Sequence, residues 1–177
     1  NATLRITKPP YPATLIDRPR LYRQLQRLRT LRAVLVQAPA GYGKSSLISR
    51  WLDVGEHGAR AAWLALGEED NEPRFFVRHL ATSLELVIPG VLARVEPILH
   101  DSQSLPQHAL EHLLSTIPDS LAASLPLDFP AVIIVLDDLH FIHSPDVLAL
   151  IMKSLEYGSN AVRFLLLSRQ RTALPLA

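Results

Sequence analysis

One short segment, residues 38–45, restricts the fold of this chain more than any other. It reads Ala-Pro-Ala-Gly-Tyr-Gly-Lys-Ser and joins an apolar run at 33–36 to a helical pattern at 46–52. The apolar run predicts a buried strand, and the two glycines allow the turn to aim its backbone N–H groups at an anion. A strand, a glycine-rich turn and a helix in this order are typical of a phosphate-binding loop. The segment therefore predicts an α/β fold with an anion site where its first strand ends.

The residue types in this loop indicate how a nucleotide would be held. We expect Lys44 to reach the β- and γ-phosphates and the Ser45 hydroxyl to ligate Mg²⁺. Ala38 stands where the usual pattern begins with Gly, so the match is one residue short. A glycine-rich turn with a solvated lysine is the alternative. The other candidate nucleotide contacts in the loop are Ala40, Gly41, Tyr42, Gly43 and Ser46.

A second motif lies far along the chain, where the apolar run 131–136 ends in Asp137 and Asp138. A continuous β-branched run suits a strand covered on both faces of a parallel sheet, and such sheets place ligands at the carboxyl ends of their strands. We expect Asp137 to hold Mg²⁺, directly or through water, and Asp138 to polarise the attacking water. The alternative is that these acids cap the following turn or helix.

Strand and helix patterns alternate and predict a doubly wound, mostly parallel α/β sheet flanked by helices. Pro89, Pro97 and Pro106 interrupt the middle of the chain, and in the acidic turn 68–73 either Asp70 or Asn71 is expected to cap the next helix. Further strands are expected at 59–66 and 162–167, and helices at 18–30, 74–87, 107–123 and 145–157. The prolines near the start predict an extended segment over 1–16, followed by one core domain over 17–177.

Composition argues against several other classes of protein. The chain has 177 residues, no cysteine, and 18 basic against 17 acidic residues, for a net charge of +1. It therefore lacks the basic footprint of nucleic-acid binding and cannot form a disulfide or a thiolate zinc site. No apolar segment approaches the ~20 residues that span a bilayer, so we expect no membrane contact and a cytoplasmic location. Because the chain starts at Asn1, we expect a fragment of a larger protein.

One pattern offers a different chemistry. His108, Glu111 and His112 fit His-x-x-Glu-His, the inverted zinc-protease motif. Leucines at 110, 113 and 114 form an apolar stripe that would leave both histidines on the solvated face of a helix. Solvated histidines are therefore the favoured interpretation, and a zinc-dependent peptidase-like site is the alternative.

The residues around the acidic pair bear on which nucleotide is bound. A GTPase-like chain is expected to carry Asp-x-x-Gly after the apolar strand and Asn-Lys-x-Asp for guanine. Here Asp137 is followed by Asp-Leu-His, and no Asn-Lys-x-Asp occurs. His140 in this segment could orient groups near the γ-phosphate or could be a structural turn histidine. We expect ATP or ADP with Mg²⁺ rather than GTP.

Four segments, residues 38–45, 63–73, 135–142 and 165–169, carry distinctive motifs. Together they resemble the nucleotide-binding domain of STAND ATPases, in particular the MalT-like branch of large LuxR-type transcription activators. The resemblance implies a P-loop NTPase of the additional-strand class, ending here after the sensor-1 strand. It also implies a switch that binds ADP at rest and ATP in a self-associating state, with slow hydrolysis resetting it. DNA would be bound only through a domain absent from this chain.

The resemblance adds two candidate residues. Arg18 lies where the family has a Gly-Arg-Glu-type motif near adenine, although Asp17 and Pro19 replace the glycine and the glutamate. Arg169 corresponds to the sensor-1 position and would face the γ-phosphate. For either arginine, a solvated side chain is the alternative. Two functions stay open: a slow ATPase that uses Lys44, Asp137, Asp138 and Arg169, or a nucleotide-binding module without significant hydrolysis.

Overall fold

Four strands build the sheet that positions the site, in a computed structural model that describes residues 5–55, 58–121, 130–172 and 174. They are β1 (Ala33–Gln37), β2 (Arg60–Ala65), β3 (Val132–Asp137) and β4 (Val162–Ser168). All neighbouring strands are parallel, in the order β1-β4-β3-β2. The predicted α/β class is confirmed, with β4 inserted between the strand before the phosphate loop and the strand before the acidic pair.

Six α-helices are seen in the described ranges. They are α1 (Pro19–Leu25), α2 (Lys44–Val54), α3 (Pro73–Glu85), α4 (Val91–His100), α5 (Pro106–Leu121) and α6 (Pro145–Tyr157). Short 3-10 turns follow α1 at Gln26–Arg29, precede α3 at Glu68–Asn71 and follow β3 at Leu139–Phe141. The expected helix over 18–30 is therefore split into α1 and a 3-10 turn, and the last residues of the expected helix 107–123 lie outside the described part. None of the described helices is long and apolar enough to cross a bilayer.

The helix α4 was not predicted, because Pro97 lies in its interior. A proline there removes one backbone hydrogen bond and disfavours a helix. Val91, Val95 and Leu99 recur at helical spacing and are all buried in the main core. Burial of this face outweighs the local cost of the proline, since tertiary packing supplies most of the stability of a helix in a protein.

Helices cover both faces of the sheet, as a doubly wound fold requires. On one face, α3, α5 and α6 contribute the largest core, with Phe76, Leu113 and Ile151 fully buried. On the other face, Trp51 of α2 packs in a smaller cluster with Trp63 and other strand residues. All six residues of β3 are buried. The continuous apolar run before Asp137 is explained by this two-sided cover.

The start of α3 differs from the prediction. Glu72 is the N-cap, and its side chain accepts a hydrogen bond from the Phe75 N–H at 2.8 Å. The expected caps, Asp70 and Asn71, were wrong because both belong to the preceding 3-10 turn and bind other groups. Pro73 lies in the first turn of α3, as expected.

The N-terminal segment contacts the rest of the domain at several points. Arg5 donates to the Ala65 carbonyl at 3.0 Å and forms ion pairs with Glu69 and Asp70. Further along, the Ser49 hydroxyl of α2 donates to the Pro9 carbonyl at 2.5 Å. The segment thus lies against β2 and α2, while the division at residue 16 stays a prediction.

Asp70 gives the fold an acid-sensitive contact. Its carboxylate is fully buried and binds His79 Nδ1 at 2.6 Å and the Gly67 N–H at 2.8 Å, besides Arg5. Burial by itself raises the pKa of Asp70, but the hydrogen bonds from His79 and Gly67 and the charge of Arg5 lower it by more, so the net pKa lies below 3.8. Because the pKa of Asp70 is lower in the folded state than in the unfolded state, its ionised carboxylate stabilises the fold at pH values above the unfolded-state pKa. This stabilisation is lost as the pH falls through the folded-state pKa.

We predict that Asp70→Asn lowers the free energy of unfolding by about 2 kcal/mol at pH 7, since hydrogen bonds to a buried charge are lost. The difference from wild type should shrink as pH falls below 3.8, the ordinary pKa that Asp70 regains on unfolding. Urea denaturation of both proteins between neutral and acid pH measures it. A difference that stays constant over the whole range would contradict the assignment.

Candidate nucleotide-binding site

The phosphate loop (residues 38–45) leaves the carboxyl end of β1 and enters α2. Gly41 and Gly43 have φ of +79° and +74°, a left-handed conformation that residues with a Cβ rarely adopt. A Cβ built at either position would meet nothing within 4 Å. The glycines are therefore required by the backbone conformation and not by crowding, and the space beside the loop is open to a ligand.

Lys44 begins α2 and is only 8% exposed. Its ammonium group donates to two carbonyls of its own loop, Ala38 at 2.5 Å and Pro39 at 3.0 Å. A buried cation next to a helix N-terminus creates a positive potential that suits phosphate. This geometry is not that of a solvated lysine, which was the alternative for this residue.

The two sequence motifs meet in one hydrogen bond. The Ser45 hydroxyl donates to Asp137 Oδ2 at 2.7 Å, although 92 positions separate the two residues. The register explains the meeting, because Gln37 at the end of β1 lies opposite Ser168 of β4, and β4 lies beside β3. The predicted magnesium ligands are thus adjacent at the carboxyl edge of the sheet, and a hydroxyl with a carboxylate is a donor set that fits Mg²⁺.

The environment of Asp137 favours a nearby cation. Burial raises the pKa of this carboxyl above 3.8, and the negative charge of Asp138 raises it further, against the hydrogen bond from Ser45. The other carboxylate oxygen accepts the Asp138 N–H at 2.8 Å. A buried carboxylate beside a second acid is costly to ionise unless a positive charge compensates it.

Asp138 and Arg169 face each other across the mouth of the site. Arg169 Nε donates to Asp138 Oδ1 at 3.2 Å, and the arginine side chain is 45% exposed. An ion pair this exposed contributes little stability, so it can be exchanged for another contact. Together with residues of the phosphate loop, the pair lines a cleft of about 310 Å³, whose described lining is Gly41, Gly43, Lys44, Ser45, Ser46, Asp138 and Arg169.

His140 lies near the same oxygen of Asp138 that Arg169 contacts. Its Nδ1 is 3.8 Å from Asp138 Oδ1, and its ring packs against Phe141 with centroids 4.5 Å apart. The side chain is 12% exposed. Asp138 is therefore flanked by Arg169 and His140, and the histidine is enclosed in the turn after β3.

Three expected nucleotide contacts are not brought to the cleft. In the described ranges its lining does not include Arg18, Ala40 or Tyr42. Arg18 is exposed at the start of α1. The neighbouring Asp17, not Arg18, binds α2, where Arg50 Nε donates to Asp17 Oδ1 at 2.7 Å. Ala40 and Tyr42 lie within the loop with their side chains exposed to solvent.

The two histidines and the glutamate of the zinc-protease-like pattern on α5 do not form a metal site. His108 and His112 are exposed, and Glu111 accepts a hydrogen bond from Gln107 at 2.7 Å. Leu110 and Leu113 are buried on the opposite face, as the apolar stripe predicted. Across the described ranges, no group of three or more His, Cys, Asp or Glu residues could hold a metal ion.

Asn71, for which a role as cap of α3 was favoured, has a different set of partners. Its side chain binds the segment that follows Asp138. The signal that could have suggested this role was its position just after β2, whose carboxyl end is level with that of β3.

The chain is similar to segments of known proteins. The chain is 30% identical to the HTH-type transcriptional regulator MalT of Yersinia enterocolitica over 85% of its length, and 28% identical to MalT of Cronobacter sakazakii over 98%. It is also 27% identical over 98% of its length to the serine/threonine-protein kinase PknK of Mycobacterium tuberculosis. It spans only 16–18% of these relatives. No protein-family model matches the chain. The similarity supports the MalT-like relationship that the four motifs indicated, for one segment of much longer proteins.

Proposed function

We propose that this domain binds ATP and ADP with Mg²⁺ in the cleft beside the phosphate loop. The observation that carries the proposal is the 2.7 Å hydrogen bond between Ser45 and Asp137. It joins two motifs that would have no reason to meet if each were only a local turn. A buried lysine and open glycines beside this bond complete a site for a phosphate chain and a divalent cation.

Each residue has a definite role in this proposal. The backbone amides of Gly41 and Gly43 and the ammonium group of Lys44 bind phosphate oxygens, and Ser45 with Asp137 holds the metal. When bound, Mg²⁺ neutralises charge on the phosphates and orients them. Asp138 orients a water molecule and accepts its proton, and Arg169 stabilises charge on the γ-phosphate.

The pairing of Arg169 with Asp138 supports slow hydrolysis. Both side chains are needed for the reaction in this scheme, yet each one engages the other at 3.2 Å. They must separate before Asp138 can hold water and Arg169 can contact phosphate. A domain arranged in this way would spend most of its time in the bound state and would suit a switch.

The same pair favours a second candidate function, a nucleotide-binding module without significant hydrolysis. If Asp138 and Arg169 stay paired when a triphosphate is bound, occupancy alone would carry the signal. Measured turnover of the domain separates the two candidates.

The role in the whole protein is inferred from its relatives. MalT is named as an HTH-type transcriptional regulator, and the chain matches a segment of it. We infer that the domain is the cytoplasmic switch of a transcription regulator that self-associates with ATP bound, and that DNA is contacted by another part of that protein.

We predict that the purified domain retains an adenine nucleotide. Denaturing the protein and separating the released compounds by chromatography should give ADP or ATP, because the guanine motif is absent. If the protein is purified free of nucleotide, titration with Mg-ATP, Mg-ADP and Mg-GTP should show tight binding of the first two only. Guanine nucleotide as the main released compound, or preferred binding of GTP, would contradict the assignment.

A further inference from the structure

The side chain of Asn71 uses all of its hydrogen-bonding capacity. Its Oδ1 accepts the N–H groups of His143 and Ser144, both at 2.8 Å. Its Nδ2 donates to the carbonyls of Phe141 at 2.9 Å and Glu68 at 3.2 Å. An amide side chain offers two donors and two acceptor positions, so this arrangement is complete.

Three of these four bonds go to one short stretch, the segment 138–144 that follows β3. The segment begins at Asp138, continues as the 3-10 turn Leu139–Phe141 and ends at Ser144, the N-cap of α6. Asn71 therefore binds the end of the segment that Asp138 begins, from a turn more than 60 positions earlier in the chain.

Asp138 has a backbone conformation that needs such support. Its φ is +56°, the only positive value for a non-glycine residue in the described part of the chain. A left-handed conformation is unfavourable for residues with a Cβ and persists when the surrounding structure holds it. Release of the far end of the segment would let Asp138 relax, and its carboxylate would move away from Arg169 and His140.

The turn that carries Asn71 is itself held firmly. The neighbouring Asp70 is fully buried and bound to Gly67, His79 and Arg5. In addition, the Leu66 N–H donates to the Asp137 carbonyl at 2.9 Å, so this connection is tied to the end of β3. Asn71 thus extends from a turn that is held in place at the carboxyl edge of the sheet.

We propose that Asn71 is a positioning residue that holds the segment 138–144 so that Asp138 is aimed at the terminal phosphate of a bound triphosphate. The inference rests on the proposed function and adds a residue outside the cleft to its machinery. Because ADP has no γ-phosphate, Asn71 should matter for ATP-specific properties and not for binding of the diphosphate.

The experiment compares Asn71→Ala and Asn71→Asp with a control, Glu72→Ala. The control removes the N-cap of α3 at the adjacent position, which lowers the stability of the fold without touching the segment 138–144. Asn71→Asp keeps an oxygen that can accept from His143 and Ser144 but loses the donor to Phe141. Thermal unfolding of all three variants measures how far each one is destabilised, so that the Asn71 variants are compared with a control of similar stability.

Two measurements decide the outcome. Hydrogen exchange of the segment 138–144 should be about tenfold faster in Asn71→Ala and unchanged in Glu72→Ala. The ATP turnover at saturating Mg-ATP should fall about tenfold in Asn71→Ala, because Asp138 no longer holds the attacking water in place. The affinities of this variant for Mg-ATP and Mg-ADP should stay within about twofold of wild type, and Asn71→Asp should be intermediate in exchange and turnover.

Unchanged exchange, or unchanged turnover, would overturn the inference. So would an equal loss of Mg-ATP and Mg-ADP affinity in Asn71→Ala, because this result indicates a role in the fold alone. Failure of the proposed function looks different, since wild type itself would then bind neither nucleotide. In that case the exchange measurement still decides whether Asn71 holds the segment, and the assigned role in ATP turnover is ruled out.

Discussion

Replacement of Lys44 by alanine is expected to weaken binding of Mg-ATP about 100-fold, which corresponds to about 2.7 kcal/mol. The ammonium group lies under the phosphate loop, bound to the carbonyls of Ala38 and Pro39. In that position it can turn toward phosphate oxygens with little movement of the backbone. A charge-assisted hydrogen bond to phosphate in a cleft that partly excludes water is among the stronger polar contacts. Calorimetry or a fluorescent ATP analogue measures the affinity.

The chain offers a matched control for this variant. Lys153 lies on α6 and binds Gln107, away from the phosphate loop. Lys153→Ala removes the same charge and should leave Mg-ATP affinity within about twofold, which excludes a general electrostatic effect. If folded Lys44→Ala binds Mg-ATP with the same affinity as wild type, residues 38–45 are not a phosphate-binding loop.

Asp138→Asn is expected to lower ATP turnover about 100-fold or more while Mg-ATP affinity changes little. General-base catalysis contributes about 10²–10⁴-fold, and an amide cannot accept the proton of the attacking water. Asparagine tolerates the left-handed conformation at this position and retains an oxygen that can accept from Arg169. The substitution therefore tests the carboxylate and changes the shape of the turn little. Phosphate release under saturating Mg-ATP measures it.

Asp146→Asn is the control for this second prediction. Asp146 is an exposed residue in the first turn of α6, so its neutralisation also removes one negative charge. Turnover should be retained in this variant. If Asp138→Asn turns over ATP as fast as wild type, Asp138 is not the catalytic base. If wild type binds tightly and shows no turnover, the module without hydrolysis is favoured.

The strands and the phosphate loop could be predicted because their signals are local. β3 is an unbroken apolar run, and the loop has glycines at the two positions where the backbone is left-handed. Parallel strands bring their carboxyl ends to one edge, so convergence of Ser45 and Asp137 followed from the predicted topology. The pattern of residue types and the alignment of parallel strands are therefore sufficient to predict this part of the site.

The errors have a common cause in long-range contacts. The helix α4 forms around Pro97 because its apolar face is buried by other elements. Asp70 and Asn71 are residue types that often cap helices. Their side chains instead bind residues far away in the chain, Arg5 and Ser144 among them. Arg18, assigned from a loose motif, is exposed and outside the described lining of the cleft, so its contact with the nucleotide stays a prediction.

By itself, the amino-acid sequence determined the class of sheet, the position of the phosphate loop and the acids that face it. These follow from short patterns whose backbone requirements are met locally or by strand alignment. The tertiary structure decided which polar side chains support the site: the pairing of Asp138 with Arg169, the enclosure of His140 and the attachment of Asn71 to the segment 138–144. Such contacts depend on distances of a few ångströms between parts of the chain that are remote in sequence. Hydrogen bonds lose their strength steeply with distance and angle, so only the folded arrangement selects among the partners that composition allows.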